Sequence, residues 1–191
     1  MTPNQYLQST FDESLEIKKE FYRECGPNLI EAARTLGQCV KAGGKVLILG
    51  NGGSAADAQH MAAEMIGRML VERRPLPAIA LTTDSSNLTA IGNDYGYDHV
   101  FLRQVQGLAK KEDVLVAIST SGNSKNVLLA VESAKALGCK IIGLTGGAGG
   151  KLKGLSDISI NATLGKNSSR IQEAHIFAVH SLVDLLDRFF L

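Results

Sequence analysis

Apolar positions along the chain fall into two regimes. Through residue 43 they recur at helical spacing, as at Leu29, Ala32, Ala33, Leu36 and Val40, with no strand-like run among them. That pattern predicts two helices, over 3–22 and 27–42, with Gly43-Gly44 stopping the second. Beyond it, short apolar runs appear at 45–49, 78–81, 114–118, 140–144 and 158–160. Helix-like stretches separate them, notably 54–68, 123–137 and 170–190. Continuous rather than alternating apolar strands indicate a parallel sheet covered on both faces. The expected architecture is one α/β domain over 1–191. It has three layers, αβα, with a five-stranded parallel doubly wound sheet of order 2-1-3-4-5 and an N-terminal helical pair.

The last predicted helix carries more than a core-facing stripe. Ala174, Ile176, Phe177, Val179, Leu182, Val183, Leu185, Leu186, Phe189 and Phe190 cover most of its circumference. A helix apolar on two sides in so small a domain points to a subunit interface, as do the N-terminal helices, so a homo-oligomer is expected.

Composition narrows the partners. The chain is 45% hydrophobic and 20% charged, enough to build a full core. With 20 basic and 19 acidic residues its formal charge is +1, without a charged tail. That balance gives no electrostatic reason to expect nucleic acid or an anionic membrane. Cys25, Cys39 and Cys139 form no CxxC pair and leave an odd thiol, which fits free cysteines in a reducing cytoplasm. No signal peptide opens the chain, and no apolar run approaches the roughly 20 residues that cross a bilayer.

Two loops rich in glycine and hydroxyls carry the first chemical signal. Gly50-Asn51-Gly52-Gly53-Ser54 follows the first strand and opens a helix. Ser119-Thr120-Ser121-Gly122-Asn123-Ser124 follows the third strand and opens another. In a sheet of order 2-1-3-4-5 the order reverses between strands one and three, and ligands bind in the crevice at their carboxyl ends. Hydroxyls, close-approaching glycine backbone and helix N-termini suit a phosphate there. A single such loop reads equally well as a capped turn; two at one switch point favour a ligand. A dinucleotide is disfavoured, because Ala55 stands where G-x-G-x-x-G needs its third glycine.

Titratable residues give a second signal. His60, Glu64 and Arg68 repeat at i, i+4 and i+8, as a surface row of ion pairs would, on the helix that begins at the first loop. Gln172, Glu173, His175 and His180 lie on the last helix; His175 reads as a core histidine with a hydrogen-bond partner. Asn93-Asp94, after Ile91-Gly92, reads as a polar loop or a simple Asx turn.

Together these stretches resemble the sedoheptulose 7-phosphate isomerase (phosphoheptose isomerase) family of the sugar isomerase fold, over nearly the whole chain. The most specific are the run from Gly50 through His60, Ala63-Glu64, Ile91 through Asp94, Ser119 through Ser124, and Arg170-Ile171-Gln172-Glu173 with His180. The resemblance implies that Ser119, Thr120, Ser121 and Ser124 hold a substrate phosphate. It implies that Asn51, Gly52, Gly53, Ser54, Asn93, Asp94 and Gln172 contact the sugar or line its pocket. Glu64 and His180 become an acid–base pair acting through an enediol, with Glu64 also at the substrate. A zinc ion would be held by His60, Glu64, Gln172 and His180. The implied protein is a cytoplasmic homotetramer that makes D-glycero-D-manno-heptose 7-phosphate for nucleotide-activated heptose of lipopolysaccharide or another surface glycan. Non-catalytic adaptors of the same fold, which bind the replication initiator, lack this glutamate and this histidine; the chain has both.

Overall fold

The computed structural model describes residues 1–191. Five strands form one sheet: β1 (Val46–Gly50), β2 (Ala78–Ala80), β3 (Val114–Ile118), β4 (Lys140–Gly146) and β5 (Ile158–Ala162). Their order is β2-β1-β3-β4-β5 and every pair is parallel, as the continuous apolar runs require. Alternate residues of β1 feed opposite faces. Val46 and Ile48 join a core beneath α1 (Pro3–Lys41), α2 (Gly53–Ile66) and α7 (Ser168–Leu185). Leu47 and Leu49 join a second core beneath α4 (Val100–Leu108), α5 (Lys125–Ala136) and α6 (Gly150–Leu155). At about 1.5–3 kcal/mol for each fully buried aliphatic side chain, two such cores fix which way every strand faces.

The expected N-terminal helical pair is instead one helix of 39 residues, α1, opened by a capping box between Thr2 and Gln5. Gly26-Pro27 invites a break, since proline removes one backbone donor and costs about 3 kcal/mol inside a helix. The apolar strip does not break there: Phe21, Cys25, Leu29, Ala32 and Leu36 are all buried in the same core. Splitting the helix would turn part of that strip away from the sheet, and its burial outweighs the proline penalty. Asn28 Nδ2 adds a tie by donating to Ser159 O of β5 at 2.7 Å. The start of α1 leaves Tyr6, Leu7 and Phe11 exposed, and by its fourth turn Glu13 meets Arg170 of α7 at 3.2 Å.

Between β2 and β3 lie two further helices, α3 (Ser85–Tyr95) and α4, joined by a 3₁₀ turn at Tyr97–His99. Asn93 and Asp94 therefore sit on α3 and not in a loop. The Asp84 side chain accepts from Asn87 N and starts that helix, and Gly96 at φ 82 ends it. The final helix continues past Leu185 as a π-helical turn over Leu186–Phe190.

Candidate active site

Strands β1 and β3 are paired in register, Val46 with Val114 through Gly50 with Ile118. The two Gly/hydroxyl loops consequently leave the sheet side by side. Between them opens a cleft of about 250 Å³ lined by Asn51, Gly52, Gly53, Ser54, Ser119, Thr120, Ser124, Ser168 and Gln172, with Ile118 at its floor. Nearly every lining group is a hydroxyl, an amide or backbone at the start of a helix. Gly52 has φ 56, a backbone conformation that side chains resist, and it lets α2 begin immediately after the strand. Gly53 serves another purpose: a Cβ there would lie 2.4 Å from Gln172 Nε2, so the glycine makes room for that carboxamide.

The second loop is organised by its own hydroxyls. Ser119 Oγ and Ser124 Oγ are 3.1 Å apart, and Thr120 Oγ1 lies 3.4 Å from Ser168 Oγ at the start of α7. Ser121 stands apart from the cleft lining, where its Oγ accepts from Asn123 N. Asn93 and Asp94 also lie outside it, and Asp94 borders a separate depression with Tyr95 and Arg103. Ser168 joins the cleft although the sequence reading passed it over. The signal available was its place after Asn167, whose side chain caps α7 by accepting from Arg170 N.

The titratable residues gather elsewhere on the same helix pair. Gln172 lies over Gly53 at one end of α2 and α7, and farther along His60 meets His180 with Nε2 atoms 3.0 Å apart. Glu64 Oε1 lies 3.4 Å from His60 Nε2. The His60 side chain is 42% exposed and that of Glu64 23%, so the cluster is open to a solute. Arg68 takes no part in it and pairs with Glu72 at 2.9 Å. Arg73 fixes the end of this helix pair: it donates to Asp187 Oδ1 at 2.8 Å and to the carbonyls of Glu64, Met65 and Gly67. Nothing in the periodicity of the sequence marks that arginine, because it lies in the irregular stretch after α2.

Two further titratable groups on the same helices, α7 and α2, are buried. His175 is fully buried with Nε2 3.0 Å from Thr145 O, so that nitrogen carries the proton, and Nδ1 has no partner. Burial lowers its pKa to about 4. Asp57, one turn before His60, is buried with one oxygen unpartnered, and desolvation raises its pKa to about 6 against the opposing pull of His60.

No three His, Cys, Asp or Glu side chains surround a common point as a closed metal cage. The donor types nonetheless suit a zinc-like ion. Two imidazole nitrogens lie 3.0 Å apart with a carboxylate oxygen 3.4 Å from one of them. Tetrahedral zinc with bonds of about 2.0–2.1 Å holds its ligand atoms about 3.4 Å apart, near the spacing of each of these two pairs.

Residues 10–146 match the SIS domain family. The chain is 52% identical over 164 residues to a phosphoheptose isomerase of Rhodospirillum rubrum, covering 86% of this chain and 87% of that one. It is 50% identical over 184 residues to one from Campylobacter concisus, covering 96% and 92%. Among solved structures it superimposes on the phosphoheptose isomerase of Neisseria gonorrhoeae with TM-score 0.92 at 46% identity, over 97% of this chain and 99% of the other. For the one from Francisella tularensis the TM-score is 0.94 at 41% identity, over 98% and 100%.

Proposed function

We infer the function of a chain that belongs to the SIS domain family and, within it, to the phosphoheptose isomerases: it is an aldose–ketose isomerase that interconverts sedoheptulose 7-phosphate and D-glycero-D-manno-heptose 7-phosphate. One observation supports this above others. The hydroxyl-lined cleft and the carboxylate–imidazole cluster are separate places on one helix pair, with Gln172 at the first and His180 at the second. Eight residues of helix rise about 12 Å. An extended seven-carbon chain ending in a phosphate, with bonds of about 1.5 Å, spans about 10 Å. A sugar gripped by its phosphate in the cleft thus brings its reactive carbons toward Glu64 and His180.

In the proposed reaction Ser119, Thr120 and Ser124 donate to the phosphate together with the amides that open α5, while Ser121, apart from the cleft lining, shapes the loop through Asn123 N. Hydrogen bonds to a charged acceptor contribute about 1.5–3 kcal/mol each, so hydroxyls and amides suffice without a lysine. Asn51, Gly52, Gly53, Ser54 and Gln172 bind the sugar, whereas Asn93 and Asp94, on α3 outside the cleft, are given no sugar contact. Glu64 takes the proton from C1 of the ketose, which leaves a cis-enediol across C1 and C2, and returns it to C2. His180 carries the O1 proton to O2. Oxidation state is exchanged within the substrate. Positioned acid–base groups of this kind contribute about 10²–10⁴-fold each. A zinc ion held by His60, Glu64 and His180 would polarise the substrate carbonyl when bound, while Gln172, at the cleft end of α7, is left to the sugar.

We also propose a homo-oligomer, a tetramer in the fullest form. A groove of about 680 Å³ between α1 and α7, lined by Tyr22, Pro27, Ile30, Phe177 and Leu185, lies open in the single chain. Tyr6, Leu7, Phe11 and Phe189 add exposed apolar surface on the same two elements. Another copy of the chain covers both. No helix is long and apolar enough to cross a membrane, and the cysteines are all free, which supports a cytoplasmic setting.

The test is direct. Purified protein given sedoheptulose 7-phosphate forms the aldose phosphate by NMR, while folded Glu64→Gln and His180→Ala proteins lose about 10²-fold or more in kcat. Turnover that survives both substitutions would remove the acid–base assignment.

A further inference from the structure

A hydrogen-bonded pair of carboxamides crosses the switch point behind the cleft. Asn126, in the first turn of α5, is 4% exposed. Its Nδ2 donates to Asn51 Oδ1 at 2.9 Å, and its Oδ1 accepts from Asn51 Nδ2 at 2.9 Å. The Asn126 Oδ1 also accepts from Val127 N at 2.9 Å. A backbone N–H can only donate, so the atom facing it must be oxygen. That contact fixes which way the Asn126 amide points. Reciprocity then fixes the Asn51 amide as well, and Tyr97 adds a donor to Asn51 Oδ1 at 3.4 Å.

The consequence falls on the ligand. The terminal torsion of an asparagine is roughly two-fold, so a free Asn51 would exchange donor and acceptor in the cleft with little resistance. Held by Asn126, it keeps its oxygen occupied and one Nδ2–H unspent beside the other lining groups. The same pair ties the first loop to the helix opened by the second, and so sets the distance between the sugar contacts and the phosphate grip. Packing alone does not demand it, since two facing amides replaced by apolar groups of like shape can be nearly neutral for stability.

We propose that Asn126 is a positioning residue of the isomerase: through its paired amide bonds it holds the Asn51 carboxamide as a hydrogen-bond donor to the sugar and keeps the two ligand loops in register. This rests on the sugar-phosphate reading of the cleft. Asn126 itself lies behind Asn51 and need not touch the substrate.

A double-mutant cycle tests it. Asn126→Ala lowers kcat/KM for sedoheptulose 7-phosphate by about 10- to 100-fold, the scale of a misplaced binding group. In an Asn51→Ala background the same substitution changes it by less than about threefold, because the group it positions is gone. Asn126→Asp keeps the acceptor for Val127 N–H and sets a carboxylate oxygen against Asn51 Oδ1; its melting temperature falls because the buried charge is unpaired, and, assayed well below that temperature as folded protein, it loses activity like the alanine variant. Equal losses from Asn126→Ala in both backgrounds, or an Asn126→Asp protein as active as the wild type, overturn the proposal. A second measurement does not depend on turnover. In ¹⁵N-asparagine-labelled protein, the Asn51 side-chain NH₂ signals, identified by their loss in Asn51→Ser, shift and exchange faster with water in Asn126→Asp. Unchanged Asn51 signals overturn the proposal even if the wild type is inert toward the sugar, an inertness that would count against the sugar-phosphate reading alone.

Discussion

Lowering the pH from 7 to 5 should weaken the folded protein through His175, and His175→Gln should remove that part of the loss. The imidazole is fully buried, donates from Nε2 to Thr145 O, and has no acceptor for a proton on Nδ1. Protonation would bury a cation with an unpaired donor, which is why its pKa falls to about 4 from the ordinary 6.5. A depressed folded-state value means the unfolded chain binds the proton more readily. Stability is then intact above pH 6.5 and is lost as pH falls toward 4. Linkage between those two values gives a loss of about 2 kcal/mol from pH 7 to pH 5. In a chain of this length that is a melting shift of roughly 4–8 °C. Glutamine can donate to the same carbonyl and does not titrate. Urea denaturation of both proteins at fixed concentration, at pH 7 and pH 5, reads the difference between their pH dependences, whatever glutamine costs at pH 7. Parallel pH dependences in the two proteins would refute the reasoning.

Asp57 works in the opposite sense. Its carboxyl is raised to about 6 from 3.8, so its ionisation penalises the fold as pH rises through 6; Asp57→Asn should gain up to about 3 kcal/mol at pH 8 and little at pH 4, read by the same titration. Gly53→Ala places a methyl 2.4 Å from Gln172 Nε2 and should displace that amide, raising KM about tenfold while the melting temperature moves little; unchanged kinetics would remove Gln172 from the binding site. Arg73→Met leaves the Asp187 carboxylate buried and strips the last carbonyls of α2 of their donor. A loss of about 3–5 kcal/mol in urea is expected, and a loss below 1 kcal/mol would contradict the clamp.

The sheet was legible because its strands are buried on both faces, so apolar runs alone marked all five and their helical spacers forced the parallel order. The loops after β1 and β3 were legible for a related reason: glycine and hydroxyl residues at strand ends have few structural uses beyond turns and ligands. The boundary inside α1 was misread because Gly26-Pro27 is a local breaker, whereas the continuous strip from Phe21 to Leu36 is a tertiary property. Asn93 and Asp94 were misplaced for a similar reason: α3 has no fully buried residue and hence no strong apolar period. The meeting of His60 with His180 depends on α2 and α7 packing side by side, which spacing along the chain does not encode. The same holds for Asn51 with Asn126 and for Arg73 with Asp187. Family resemblance supplied the first of these pairs and was silent on the other two.

The claim that a phosphate-anchored sugar is isomerised by proton transfer can be tested in D₂O. Sedoheptulose 7-phosphate incubated there with the wild-type protein should give an aldose phosphate carrying deuterium at C2, with Glu64→Gln giving about 10²-fold less product in the same time. No aldose at all, or aldose formed at an undiminished rate by Glu64→Gln, would contradict the account.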